Sequence, residues 1–149
     1  MSIIDWIREQ LGLEPLGEGE QPDHGPPWFV GQPPPPVTFR ELRVVDASPK
    51  LDDIEEGQMY LVEYRGKRYW TMFRCPCGCG EPITLMAESD GPTWRTWLSD
   101  EERPSLSPSV WRMAGCFSHF WVDDGRVYWC AGSGREPWVA APRYYRKPT

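Results

Sequence analysis

The chain has 149 residues, of which 40% are hydrophobic and 26% are charged. This length predicts one domain with a modest hydrophobic core. Its 22 acidic residues outnumber the 16 lysines and arginines, so the net charge is -6. Nucleic-acid binding needs a basic face that neutralises many phosphates, and this charge balance therefore excludes nucleic acid as an expected partner.

Residues 1–13 predict a short amphipathic helix. Ser2 and Asp5 resemble a capping box, and Gly12 ends a series of apolar residues at helical spacing, Ile3, Ile4, Ile7 and Leu11. We expect this helix to dock on its own domain rather than to bind a partner. Charged residues at positions 5, 8 and 9 interrupt the apolar pattern, so the segment is neither a secretory signal nor a membrane span. We therefore expect a cytoplasmic protein with no membrane partner.

Residues 14–36 are rich in glycine, proline and acidic side chains, and they end in four consecutive prolines, Pro33–Pro36. This composition cannot form a packed core and predicts an extended linker. The remaining residues, 37–149, are predicted to form one zinc-binding β domain.

Seven segments after the linker are rich in β-branched and aromatic residues and predict strands: Thr38–Val45, Met59–Tyr64, Arg68–Arg74, Ile83–Ala87, Thr93–Leu98, His119–Asp123 and Arg126–Cys130. Arg65-Gly66-Lys67 can close one hairpin, and Asp124-Gly125 is typical of a type I′ turn in another. The predicted fold class is mainly β, a small antiparallel β domain with an embedded zinc site and a short N-terminal amphipathic helix.

A cluster of metal-type ligands follows the third predicted strand. Cys75, Cys77 and Cys79 alternate in a glycine-containing loop, and Cys116 and His119 form a C-x-x-H pair with the spacing found in zinc sites. In a reducing cytoplasm such cysteines favour metal binding over disulfides. Because a closed zinc site takes four ligands, we expect at least one thiol of the loop to be spare. The fifth cysteine, at position 130, is expected to be buried in a strand as a small hydrophobe.

The role of such a metal stays open on spacing alone. Thiolate-rich zinc is usually structural, which favours a closed structural site by about three to one. A catalytic site needs an open position for water and a nearby carboxylate, and Glu81 is the acid that the ligand loop carries. Ser107 or Ser109 could donate a hydrogen bond to a substrate carbonyl, or cap a turn beside the loop. These serines are weak candidates for a nucleophile, because His119 is assigned to the metal.

Four motifs, in order along the chain, carry a resemblance to a known family. They are residues 73–81 (Phe-Arg-Cys-Pro-Cys-Gly-Cys-Gly-Glu), 104–110 (Pro-Ser-Leu-Ser-Pro-Ser-Val), 116–122 (Cys-Phe-Ser-His-Phe-Trp-Val) and 124–129 (Asp-Gly-Arg-Val-Tyr-Trp). Over roughly the second half of the chain, this pattern resembles the bacterial domain of unknown function 6527 family.

The resemblance implies a zinc-dependent peptidase encoded in operons for bacterial ubiquitin-like conjugation. It would process or deconjugate a ubiquitin-like protein at its C-terminus. The implied partners are that ubiquitin-like protein, its precursor or its conjugates, with the activating and conjugating enzymes of the operon as further candidates. Carried over by motif, the ligands of Zn²⁺ fall among five residues, Cys75, Cys77, Cys79, Cys116 and His119. Glu81 is then the general base, and Ser107 or Ser109 lies beside the substrate carbonyl.

The sequence therefore supports two hypotheses about function. The favoured one is a zinc metallopeptidase in which metal-activated water attacks a peptide or isopeptide bond. The alternative is a non-catalytic zinc module that recruits a protein partner of the same pathway. An open metal position beside Glu81 favours the first, whereas four protein ligands around the ion favour the second.

Overall fold

The computed structural model describes residue 29 and residues 32–87 and 93–149. The predicted helix over residues 1–13 and most of the predicted linker lie outside this part of the chain. Within it, eight strands form two four-stranded sheets. The mainly β fold class is therefore confirmed.

The first sheet has the strand order β1-β2-β3-β4, with bounds β1 Glu41–Val45, β2 Gln58–Tyr64, β3 Lys67–Arg74 and β4 Pro82–Met86. Strands β1 and β2 are parallel, and the other two pairs are antiparallel. The second sheet is antiparallel throughout, with bounds β5 Arg95–Leu98, β6 Pro104–Trp111, β7 His119–Asp123 and β8 Arg126–Trp129. A 3-10 turn covers Leu51–Asp53, and a short helix, α1, covers Pro137–Ala140.

Both predicted hairpin turns are present. Arg65 and Gly66 join β2 to β3 with φ values of 51° and 75°, and Asp124 and Gly125 join β7 to β8 with φ values of 52° and 70°. Positive φ at both central residues is the signature of a type I′ turn, whose twist matches that of the flanking strands.

The two sheets pack on one shared core. Met59, Phe73 and Ile83 come from the first sheet, and they pack in one buried cluster with residues of the second sheet that include Leu106 and Phe120. The ring of Phe73 lies edge-on to that of Phe120, with centroids 6.3 Å apart. Alternating side chains of each strand therefore point between the sheets, and the others point outward.

Strand β6 is the element that the sequence did not predict. It lies between β5 and β7, yet it contains two prolines. Pro104 is its first residue, and Pro108 lies in an irregular stretch between the pairs Leu106–Val122 and Val110–Phe120. Three residues of β6 there face one residue of β7, which is a β-bulge. Strand starts and bulges are the positions at which a sheet tolerates proline, because no ladder hydrogen bond is lost there.

Part of the predicted linker contacts the β domain. The ring of Phe29 lies edge-on to that of Tyr128 with centroids 4.9 Å apart, and Arg126 donates a hydrogen bond to the carbonyl of Pro35. Val37 forms an isolated bridge with Arg126. In the described residues, no helix has the length and apolar character needed to cross a membrane.

Candidate active site and thiol cluster

A serine and a histidine meet at the outer face of the second sheet. The Oγ of Ser109 lies 3.1 Å from the Nε2 of His119. Ser109 belongs to β6 and His119 is the first residue of β7. Their strand neighbours Val110 and Phe120 point into the core between the sheets, so Ser109 and His119 point away from it.

The bulge in β6 presents Ser109. Its backbone carbonyl accepts a hydrogen bond of 3.3 Å from the indole N–H of Trp94, which fixes the irregular stretch from the side of β5. The side chain of Ser109 is half-buried. A bulge re-aims a side chain away from the regular pleat, and bulges are frequent next to active sites.

The imidazole of His119 lies against the side chain of Trp111. The two rings are stacked, with centroids 4.2 Å apart and an interplanar angle of 6°. Burial lowers the pKa of His119 from 6.5 to about 4. At neutral pH the imidazole is therefore uncharged, and Nε2 can accept the proton of the Ser109 hydroxyl.

Four thiols converge on the other side of the β6–β7 pair. The Sγ atoms of Cys75, Cys77, Cys79 and Cys116 all lie within 4.8 Å of one another. Cys75 follows the last residue of β3 and is buried against the shared core, while Cys77 and Cys79 are exposed in the next turn. The Sγ of Cys75 lies 3.4 Å from that of Cys77 and 3.7 Å from that of Cys116. This cluster could hold a metal ion.

The turn that carries three of the thiols is closed by its backbone. The amide of Cys75 donates to the carbonyl of Glu81 at 2.9 Å, and Gly78 and Gly80 have φ values of 89° and 79°. Only glycine adopts this left-handed region without strain, so the two glycines allow the chain to bring alternate cysteines together. The Arg74 guanidinium also donates to the carbonyl of Gly80 at 2.6 Å.

Positive charge lies beside the thiols. The Nη1 of Arg112 is 3.6 Å from the Sγ of Cys79 and 3.5 Å from that of Cys116. Burial raises the pKa of Cys116, but hydrogen bonds with Ser118 and Arg112 outweigh it and lower that pKa to about 6. Burial raises the pKa of Cys75 to about 12. An arginine among thiols favours thiolate, which is the form that binds a metal.

The structure separates the predicted C-x-x-H pair. Ser118 points to the thiol side, where its Oγ is 3.1 Å from the Sγ of Cys116, and Phe120 enters the core. His119, between them, points to the opposite face, as alternation along an extended chain requires. The structure therefore does not bring His119 into the thiol cluster, whereas all three thiols of the loop lie close to Cys116.

The other predicted residues lie as follows. Ser107 is buried in β6, opposite Arg95 of β5. Glu81 is exposed at the end of the thiol turn, where its carbonyl accepts the hydrogen bond from Cys75. Cys130 was expected to be buried in a strand; it lies just after β8, is partly buried, and packs against Trp121 and Tyr128.

Two residues of these sites were missed from the sequence. Trp111 stacks on His119, and Arg112 contacts the thiols. Trp111 lies two residues after Ser109, so once β6 is recognised as a strand, period-2 alternation places both on one face. Unless that strand is recognised, nothing in the spacing of Ser109 and Trp111 connects the two residues.

Comparison with known proteins found one matching family model. A family model described as a bacterial ubiquitination-like system serine protease (BubE) matches residues 44–130, which include Ser109, His119 and the four clustered thiols. No curated protein and no solved structure matches the chain. The predicted protease class and the bacterial ubiquitin-like context agree with this description, whereas the label of the family suggested by the motifs is not confirmed.

The same match corrects the predicted chemistry. The prediction of a zinc-dependent peptidase is wrong, because the family is described by a serine mechanism. The physical reason for the error is the assignment of His119 to the metal, since its Nε2 faces the hydroxyl of Ser109 instead. The match covers more than half of the chain, and the chain therefore belongs to the family of bacterial ubiquitination-like system serine proteases, BubE.

Proposed function

We propose that this protein is a serine protease in which Ser109 is the nucleophile and His119 is the general base. Its proposed substrate is a bacterial ubiquitin-like protein, as a precursor or a conjugate, cut after the C-terminal residue of its ubiquitin-like part. The observation that carries this proposal is the 3.1 Å distance between the Ser109 Oγ and the His119 Nε2, which is hydrogen-bond reach for proton transfer. The family description supports both the serine mechanism and the ubiquitin-like partner.

The proposed reaction proceeds in two steps. In the first, the Ser109 oxygen attacks the carbonyl carbon while its proton passes to the Nε2 of His119. His119 then protonates the leaving amine, and an ester joins the substrate to Ser109. In the second, His119 takes a proton from water, the water oxygen attacks the ester, and Ser109 regains its proton as the acid product leaves. Neither step needs the thiols or Glu81.

The choice between the two predicted serines rests on geometry. Ser107 lies at the start of the bulge, where it is buried and pairs with Arg95 of β5. Ser109 lies at the end of the bulge, is half-buried, and has its Oγ 3.1 Å from the Nε2 of His119. The pair is therefore assigned to Ser109, and Ser107 provides a matched serine on the same strand.

The test uses a ubiquitin-like protein from such a system, extended by extra residues after its C-terminus. The wild type is expected to remove the extension, and Ser109→Ala is expected to slow removal by at least about 1,000-fold, as loss of a nucleophile does in enzymes of this kind. Intact mass measurement of the products locates the cut.

Ser107→Ala is the control and should process the precursor at close to the wild-type rate. Glu81→Gln should do the same, because an exposed acid on the thiol turn has no step in this mechanism. Loss of processing in Ser107→Ala with activity retained in Ser109→Ala would contradict the assignment.

We also propose that the four clustered thiols hold one Zn²⁺ in a structural role. Thiolates about 2.3 Å from a tetrahedral zinc ion lie about 3.8 Å apart, close to the 3.4 and 3.7 Å between the Cys75 sulfur and its two neighbours. Four protein ligands leave no position for water, and Arg112 offsets part of the charge of the thiolates. Cys75 follows β3 of the first sheet and Cys116 precedes β7 of the second, so the ion would fasten one sheet to the other.

Zinc removal should therefore destabilise the protein. Elemental analysis of purified protein should find about one zinc per chain, and a chelator should lower the melting temperature. The double variant Cys77→Ser with Cys116→Ser should lose the metal, whereas Cys130→Ser, outside the cluster, should retain it. A metal content that is the same in the double variant and in Cys130→Ser would contradict the proposed site.

A further inference from the structure

A histidine that acts as a base needs a fixed ring plane and a fixed tautomer. For the Nε2 of His119, 3.1 Å from the Oγ of Ser109, to take the serine proton, Nδ1 must carry the proton of the neutral ring. In serine triads a carboxylate binds that N–H, orients the ring, and stabilises the imidazolium that forms. Nδ1 of His119 is buried, and within residue 29, 32–87 and 93–149 it has no hydrogen-bond partner.

The electrostatics of His119 agree with that geometry. Burial is the cause of its lowered pKa, and no charge of the described residues contributes to that shift. A nearby carboxylate would raise the pKa of the imidazole by stabilising the charged form. Among the described residues, therefore, another group must hold the ring.

That group is the indole of Trp111. Trp111 and His119 are directly paired across β6 and β7, and their rings are parallel to within 6° at a centroid distance of 4.2 Å. The ring of Tyr145 also packs edge-on against the indole, with centroids 5.1 Å apart and an angle of 71°. The imidazole is thus stacked on a ring that is itself held in place.

The indole N–H of Trp111 is also buried, and in the described part of the chain it has no hydrogen-bond partner. A buried tryptophan usually satisfies this donor, so leaving it unpaired costs stability. A functional role for the π face of the Trp111 ring would explain why the protein tolerates this loss of stability.

We propose that Trp111 is a positioning residue that fixes the plane of the His119 ring and stabilises its protonated form during the reaction. This inference rests on the proposed serine mechanism. When Ser109 transfers its proton, the neutral ring becomes an imidazolium lying over the electron-rich face of an indole. Attraction between a cation and that face is strongest for tryptophan, and it grows when water is excluded. The contact is thus stronger in the transition state than before it, which is the requirement for accelerating the step.

The experiment measures how fast a fluorophosphonate reagent modifies Ser109 in the full-length protein. In that reaction the serine oxygen bonds to phosphorus, fluoride leaves, and the serine proton passes to His119. Trp111→Leu is expected to lower the maximal modification rate about 10- to 30-fold, the range of a desolvated cation–π contact, with little change in reagent affinity. Trp111→Phe keeps an aromatic face and should stay within about 3-fold of the wild type. Trp97→Leu, a half-buried tryptophan of β5, is the matched control and should react at the wild-type rate.

Two results would overturn the role of Trp111 alone. One is a Trp111→Leu rate within about 2-fold of the wild type, and the other is an equal fall in the Phe and Leu variants. If Trp111→Leu does not fold, NMR of the wild type decides instead. The His119 ring protons should be shifted upfield by the indole ring current, and signals at ordinary positions would overturn the stack. Modification of the wild type at a residue other than Ser109 would overturn the proposed mechanism itself, and this inference with it.

Discussion

Burial keeps the imidazole of His119 uncharged, whereas its proposed role as a general base requires Nε2 to take up a proton. Its pKa of about 4 lies below the ordinary 6.5. The base form therefore persists in mild acid. We expect kcat/KM for precursor processing to be nearly constant from pH 7 to pH 5 and to fall as the pH approaches 4. An acid limb centred near pH 6.5 would contradict this expectation.

The same shift makes stability depend on pH. In the unfolded chain His119 protonates near pH 6.5, whereas in the folded chain it does so near pH 4. Between these values the unfolded state binds more protons, so the free energy of unfolding decreases as the pH falls from 6.5 to 4. Chemical denaturation at several pH values measures the slope. His119→Gln removes this group and should flatten that part of the curve.

Residue types revealed more of the site than residue spacing did. The thiols at positions 75, 77, 79 and 116 were all predicted as candidate ligands, and in the structure all four lie close together. The C-x-x-H spacing was misread because it suggests one turn that presents both ligands to one ion. Since His119 is already in an extended strand, its side chain points away from that of Ser118 and from the thiols.

Among the secondary-structure elements, the hairpin turns were the feature that the sequence predicted most accurately. Both hairpins were predicted from their turn residues, the second as type I′ from Asp124-Gly125, and the strands that they join begin and end within a residue of the prediction. Strand β6 could not be predicted in the same way. Its serines and prolines are typical of turns, and only its pairing with β5 and β7 makes the segment a strand.

The turn between β7 and β8 leads to a prediction about packing. A Cβ added at Gly125 would lie 2.1 Å from the carbonyl oxygen of Phe39, whereas one added at Gly66 would meet nothing within 4 Å. Both glycines have positive φ, so both alanine variants carry the same backbone strain. We expect Gly66→Ala to cost about 1 kcal/mol and Gly125→Ala about 3 kcal/mol or more, measured by denaturant unfolding. Equal losses would show that the close approach of Phe39 is unimportant.

For the whole molecule, composition and periodicity predicted a single small β domain but not its division into two sheets. The sequence pattern of a strand predicts which side chains share a face. It does not predict the neighbouring strand, because that pairing depends on contacts between residues distant in sequence. The parallel pairing of β1 with β2 is one such case, because the two strands are separated by a connection that contains the Leu51–Asp53 turn. The shared core, with Phe73 edge-on to Phe120, is another.

The division into two sheets also determines how the two sites are related. Ser109 and His119 lie on the outer face of the second sheet, and the thiols lie toward the first. Cys116 and Arg112 belong to the connection between β6 and β7, the same two strands that carry the serine and the histidine. A substitution in that connection can therefore alter both the position of the thiols and the position of Ser109 and His119.

Between Leu106 and Val110, strand β6 has two residues more than a regular ladder with β7 would hold. Deleting such a pair would give a regular ladder but remove the irregular stretch that presents Ser109 to His119. Sheet stability favours regular pairing in this stretch, whereas the proposed protease activity requires the bulge. Engineering for thermal robustness should leave these residues alone and seek its gains in the other strands.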